Sequence, residues 1–153
     1  MSDEQFLQIV DITPLASLDL VVLHNDQVLL GERLNRPAQG YWFVPGGRIR
    51  KGERFTDAFQ RLVMAELGRA MQYNDTQHLG VYEHFYSDSA FGPTASTHYI
   101  AIGLLVELSI SIDELPQDQH ARFSWWSIYQ ALESLDVHPY TKDYLRSLTE
   151  CGN

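Results

Sequence analysis

The stretch Gly46-Gly47-Arg48-Ile49-Arg50-Lys51-Gly52-Glu53-Arg54-Phe55-Thr56-Asp57-Ala58-Phe59-Gln60-Arg61-Leu62-Val63-Met64-Ala65-Glu66-Leu67-Gly68 governs how the rest of the chain is read. Its second half predicts a helix over residues 55–67. Phe55, Phe59 and Leu62 recur at helical spacing as an inward apolar stripe, and Gly68 is a C-terminal stop. Glu66 follows Leu62 by four residues and shares that inward face, where a carboxylate is costly unless a metal or an arginine pairs with it. Arg61 projects from another side and can reach back to Glu53, fixing the loop between them. In the first half a strand ends in Gly46-Gly47. Such a pair makes a tight turn, or it exposes backbone carbonyls to a closely approaching ligand. Beside Glu66 those carbonyls would be hard oxygen donors for Mg²⁺.

Working outward, residues 3–10 predict a first short helix and residues 17–23 a strand, followed by an Asn25-Asp26 turn and a second strand from Gln27 to Leu30. Arg33 to Gly40 is a loop, and Tyr41 to Val44 a short aromatic strand stopped by Pro45-Gly46-Gly47. Beyond the central helix, strands are predicted near 79–86, 97–107 and 122–126. Ser87 to Ser96 form a polar loop, and helices near 127–134 and 139–148 close the chain. Strands mixed with helices in this order fit an α/β sandwich.

The chain has 153 residues, 44% of them apolar and 20% charged, which fits one domain spanning residues 1–153 with a genuine core. No apolar run has the length of a membrane span, and Met1-Ser2-Asp3-Glu4-Gln5 lacks the basic start of a secretion signal, so a cytoplasmic location is expected. Cys151 is the single cysteine, so no internal disulfide forms. The net charge of −9 argues against nonspecific binding to nucleic acid or to an anionic membrane. Yet six of the eleven basic residues, Arg33, Arg36, Arg48, Arg50, Lys51 and Arg54, crowd into residues 33–54. That window fits either a solvated basic loop or a seat for an anionic ligand.

The opening stretch resembles the signature of the Nudix hydrolases, which act on nucleoside diphosphates linked to another group. Gly47, Glu53, Arg61, Val63, Glu66 and Gly68 fall in register with it. Leu62 and Ala65 stand where that family has carboxylates, and Arg69 where it has an apolar residue. The resemblance implies a Nudix-type α/β/α sandwich, a mixed β-sheet between helices. One branch, the GDP-mannose mannosyl hydrolases, carries the same substitutions. Its similarity runs over most of residues 14–126, including Asn35 to Arg48, Met64 to Gly68, His84-Phe85-Tyr86, Thr97-His98-Tyr99 and Gln119-His120.

That resemblance implies hydrolysis of GDP-mannose, and GDP-glucose, to GDP and free sugar, with inversion at the anomeric carbon, by a homodimer acting on a small nucleotide sugar. It implies one Mg²⁺ per active site, with Mn²⁺ as a substitute, held by the backbone carbonyl of Gly46, the carboxylate of Glu66 and the amide of Gln119. His120 corresponds to the general base, a residue type that takes a proton from water near neutral pH. Arg33 and Arg48 correspond to arginines on the diphosphate, and Tyr99 to a hydrogen-bond donor near the leaving group. Asp19 and His84 correspond to residues that contact the sugar or nucleotide. Asp19 also sits within an apolar strand, where a carboxylate needs a partner. His24, His78, His98 and His138 read as ordinary histidines, and Trp42, Trp125 and Trp126 as packing residues.

The missing carboxylates bear on the chemistry. Attack on phosphorus in a pyrophosphate needs strong charge neutralisation, often by more than one metal. Attack of water on the sugar carbon needs less, because a neutralised nucleoside diphosphate is a good leaving group. An inverting glycosidase normally adds a carboxylic acid to protonate the departing oxygen, and a diphosphate makes that acid dispensable. The alternatives are pyrophosphate cleavage to a nucleoside monophosphate and a sugar phosphate, or an inactive nucleotide-sugar-binding protein.

Overall fold

The computed structural model describes residues 1–116 and 121–151. Among the described residues four helices, α1 (Asp3–Ile12), α2 (Phe55–Leu67), α3 (Ile128–Glu133) and α4 (Pro139–Cys151), surround a mixed sheet. Its strands are β1 (Leu15–His24), β2 (Gln27–Arg33), β3 (Trp42–Phe43), β4 (Gly46–Arg48), β5 (Gln77–Tyr86), β6 (Thr97–Glu107) and β7 (Ala121–Ser127). Short 3₁₀ turns at Tyr73–Asp75 and Ile112–Glu114 complete the path. The sheet runs β3-β2-β1-β6-β5, with β4 paired to β1 and β7 to β2.

β1 and β6 lie parallel at the centre, from Leu15 opposite Tyr99 to Leu23 opposite Glu107. Residues 17–22 of β1 are all buried, as befits a strand covered on both faces. The period of two divides those residues between two cores. Leu18, Leu20 and Val22 join Ala58, Phe59, Leu62, Val63 and Leu67 of α2 on one side. Val21 packs with Val28, Leu30, Ala131, Tyr144 and Leu145 on the other, beneath α3 and α4. Asp19 has the parity of Val21 and therefore faces α4.

The β1–β2 hairpin turns at Asn25 and Asp26, both with positive φ, the conformation a two-residue hairpin turn demands. The strands then splay. Only Leu23 with Val28 and His24 with Gln27 are paired. Further along, β2 pairs with β7 and β3, while β1 takes β4. The splay opens the sheet at the end where β1 and β6 begin and β2 finishes.

Two expectations change here. Gly46-Gly47 is not the turn that stops the aromatic strand; with Arg48 it forms β4, Gly46 opposite Asp19 and Gly47 opposite Leu18. The glycines are required by contact. A Cβ on Gly46 would stand 2.3 Å from the Leu18 carbonyl oxygen, and one on Gly47 2.6 Å from Cδ2 of Leu62. Phe55 is not part of the inward stripe. It is 49% exposed and stacks on Tyr73 at 6.3 Å, because the first turn of α2 overhangs the 3₁₀ turn and not the sheet. Gly68 does close α2, in the left-handed conformation, with φ 66°.

Candidate functional site

The open end of the sheet forms a cleft of about 130 Å³. Asp19 of β1, Arg33 at the end of β2, Gly46 and Gly47 of β4, Glu66 near the end of α2, His84 of β5 and Tyr99 of β6 all line it. Phe43, Tyr86 and Phe123 supply aromatic wall. His84 and Tyr99 are opposite one another across β5 and β6, so two sequence-distant side chains reach one place through strand register.

Asp19 is 7% exposed and accepts a 2.6 Å hydrogen bond at Oδ2 from the hydroxyl of Tyr144, on α4. Burial raises its pKa to about 6, against the lowering influence of that hydrogen bond and of the Arg33 charge. His84 is moved the other way. Burial, and then the nearby His138, lower its pKa to about 4. The His84 Nδ1 to Asp19 Oδ2 distance is 3.8 Å, too long for a hydrogen bond. With Asp19 titrating near 6 and His84 near 4, no pH range has both predominantly charged, so the contact is not an ion pair. Nε2 of the buried His84 ring finds no hydrogen-bond partner among the described residues, and neither does Nε of Arg33.

The loop below the cleft is fastened by Arg61. Its Nε and Nη2 donate to Glu53 at 2.7 and 2.8 Å, and Nη2 also donates to the Arg48 carbonyl at 2.9 Å. Glu53 accepts the Arg50 backbone N–H at 2.7 Å. The Arg61 hydrogen bonds lead in lowering the Glu53 pKa to about 2, with burial opposing. This is the loop-fixing role read from the spacing.

Of the residues singled out in the sequence, the cleft collects Asp19, Arg33, Gly46, Glu66, His84 and Tyr99. Arg48 lies outside the cleft wall, its guanidinium 4.6 Å from the centre of the Phe6 ring of α1. Its charge still acts on Tyr99, whose pKa burial raises while Arg33 and Arg48 pull it down. Gln119 and His120 lie outside the described residues. Nothing in the sequence singles out Tyr144, and His138 reads there as an ordinary histidine. His138 sits among Tyr41, Phe43, Tyr86 and Tyr140 and accepts the Tyr140 backbone N–H at Nδ1. The tryptophans do pack: Trp42 meets Trp126 edge-on at 5.4 Å, and Trp125 donates its indole N–H to the Ile110 carbonyl.

A family model of the NUDIX domain matches residues 15–148. The chain belongs to the Nudix hydrolase family. It is 40% identical over 148 residues to low-salt glycan biosynthesis protein Agl8 of Haloferax volcanii, covering 95% of this chain and 89% of that one. Among solved structures, the MutT protein from Methanosarcina mazei superposes with a TM-score of 0.73 at 18% identity, over 93% and 98% of the two chains. The MutT Nudix hydrolase from Burkholderia pseudomallei does so at 0.66 and 21%, over 89% and 98%. At these identities the structural likeness concerns the fold, a mixed sheet flanked by helices.

Nudix hydrolases act on small nucleotide-derived substrates and generally use divalent metals. In this Nudix chain no three His, Cys, Asp or Glu side chains converge among the described residues. Leu62 is buried against Gly47, and Ala65 faces solvent, so neither position brings an oxygen to the cleft. Of the stretch from Gly46 to Gly68, the wall keeps Gly46, Gly47 and Glu66. Backbone carbonyl and carboxylate oxygens are hard donors and fit a small divalent cation that keeps several waters.

Proposed function

We propose that this Nudix protein hydrolyses a nucleotide sugar by attack of water on the anomeric carbon, releasing a nucleoside diphosphate and free sugar with inversion. GDP-mannose is the proposed substrate and GDP-glucose a second. The observation that carries this reading is the make-up of the cleft. A single signature carboxylate, Glu66, shares the cleft with a pair suited to sugar hydroxyls, Asp19 and His84. The relative named for glycan biosynthesis supports a sugar-linked substrate.

Gly46, Glu66 and Gln119 would hold one Mg²⁺, or Mn²⁺ in its place, which when bound neutralises charge on the diphosphate. Arg33 and Arg48 carry that task on the protein side, Arg33 from the wall and Arg48 from beside it. Tyr99, its pKa raised by burial, keeps its proton and donates a hydrogen bond to the leaving group. Asp19 and His84 orient the sugar. His120 takes the proton from the attacking water. Ala121, the residue after His120, pairs with Arg33, which supports His120 working beside the diphosphate. The protein works as a homodimer.

Incubation with GDP-mannose and Mg²⁺ in isotope-labelled water tests this. Label in free mannose beside unlabelled GDP is expected. GMP with mannose phosphate would establish pyrophosphate cleavage instead, and binding without turnover would mark a sensor. His120→Gln should lower kcat about 10²–10⁴-fold with little change in substrate binding. Unchanged turnover would remove His120 as the base.

A further inference from the structure

On the nucleotide-sugar reading given above, we propose that Tyr144 of α4 is a positioning residue that holds the Asp19 carboxylate in place for the sugar hydroxyls. Tyr144 is fully buried, and its hydroxyl donates to Oδ2 of Asp19 at 2.6 Å across a sequence separation of 125 residues. Oδ1 of Asp19 stays beside Gly46, which with Asp19 lines the cleft. One carboxylate oxygen is thus held by Tyr144, and the other is left beside Gly46, a cleft residue.

The seat of the Tyr144 ring is equally specific. It packs onto the bare backbone of Gly103 on β6, where a Cβ would stand 2.7 Å from Cε1. Tyr82 meets it edge-on at 4.6 Å. Gly103 is the register partner of Asp19, so the absence of a side chain on the neighbouring strand makes room for the ring that reaches Asp19. One helical turn earlier, Tyr140 lies flat against His84, with ring centres 4.3 Å apart and planes 6° apart. Its hydroxyl exchanges hydrogen bonds with the backbone of Phe85. Residues four apart share a helix face, so α4 braces both members of the Asp19–His84 pair from one side. Neither tyrosine is among the cleft-lining residues, so Tyr144 acts through Asp19.

Calorimetric binding of GDP and of GDP-mannose, with steady-state kinetics, tests the assignment in Tyr144→Phe. Loss of a hydrogen bond to a charged group should raise KM for GDP-mannose about tenfold, while affinity for GDP, which lacks the mannosyl group, stays unchanged. Gly103→Ala keeps the Tyr144 hydroxyl but displaces the ring, and should reproduce the same split. Equal weakening for both ligands would mean a merely structural role and overturn the proposal, as would no change for either. If the wild-type protein hydrolyses no nucleotide sugar, the function reading fails separately. The positioning is then judged by a crystal structure of Tyr144→Phe, where a reoriented Asp19 carboxylate upholds it and an unmoved one overturns it.

Discussion

Glu53 and Arg61 show how one ion pair can shape a site without entering it. The guanidinium takes both carboxylate oxygens and the Arg48 carbonyl together, so it ties β4 to α2 across the intervening loop. Arg61→Ala should therefore lower the melting temperature and loosen nucleotide binding together, measurable by thermal scan and calorimetry. The folded pKa of Glu53 lies near 2, below the ordinary 4.5, so its contribution is fully present above pH 4.5 and is lost as pH falls toward 2. The stability gap between wild type and Glu53→Gln should shrink over that window in denaturant titrations. Glu66 belongs to the cleft itself. Glu66→Gln should raise the Mg²⁺ concentration needed for half-maximal activity, and an unmoved metal dependence would make Glu66 purely structural.

At the scale of the element, α2 is an amphipathic helix whose buried face is Ala58, Phe59, Leu62, Val63 and Leu67. Leu62 fills the space over Gly47. Leu62→Ala should cost about 2–5 kcal/mol and Phe59→Ala about 3–5 kcal/mol of stability in urea unfolding, since each leaves a cavity in close-packed surroundings. Phe55→Ala, on the exposed first turn, should cost about 1 kcal/mol or less. A uniform loss at all three positions would contradict the packing described. Periodicity made the helix legible and misjudged only its first turn, because what lies beneath a first turn depends on a distant segment, here the 3₁₀ turn containing Tyr73.

For the molecule as a whole, the buried groups near the cleft set the response to acid. His84 and His138 are held neutral, with pKa values lowered to about 4 from 6.5. The unfolded chain binds their protons first, so stability falls as pH drops from 6.5 to 4. Asp19 opposes this. Its pKa is raised to about 6 from 3.8, so the folded state binds its proton first and gains stability as pH falls through that range. Two histidines against one carboxyl, with shifts of similar size, predict a net loss on acidification. Asp19→Asn should steepen that loss, read from denaturant midpoints measured across pH 7 to pH 4.

The sequence by itself determined the local elements and the family. Helical and strand periods are written in neighbouring residues, and the spacing of Gly47, Glu53, Arg61, Glu66 and Gly68 carries the loop–helix unit. It also showed that Leu62 and Ala65 bring no carboxylate. Only the tertiary structure decided that β1 and β2 splay to open the cleft, that Gly46 and Gly47 form a strand, and that Arg48 rests on Phe6. It alone showed that Asp19 is held by Tyr144. The reason is physical. Period and spacing act over a few residues, whereas strand register and ring packing join side chains more than a hundred residues apart, and no local pattern records which distant partner a buried carboxylate finds.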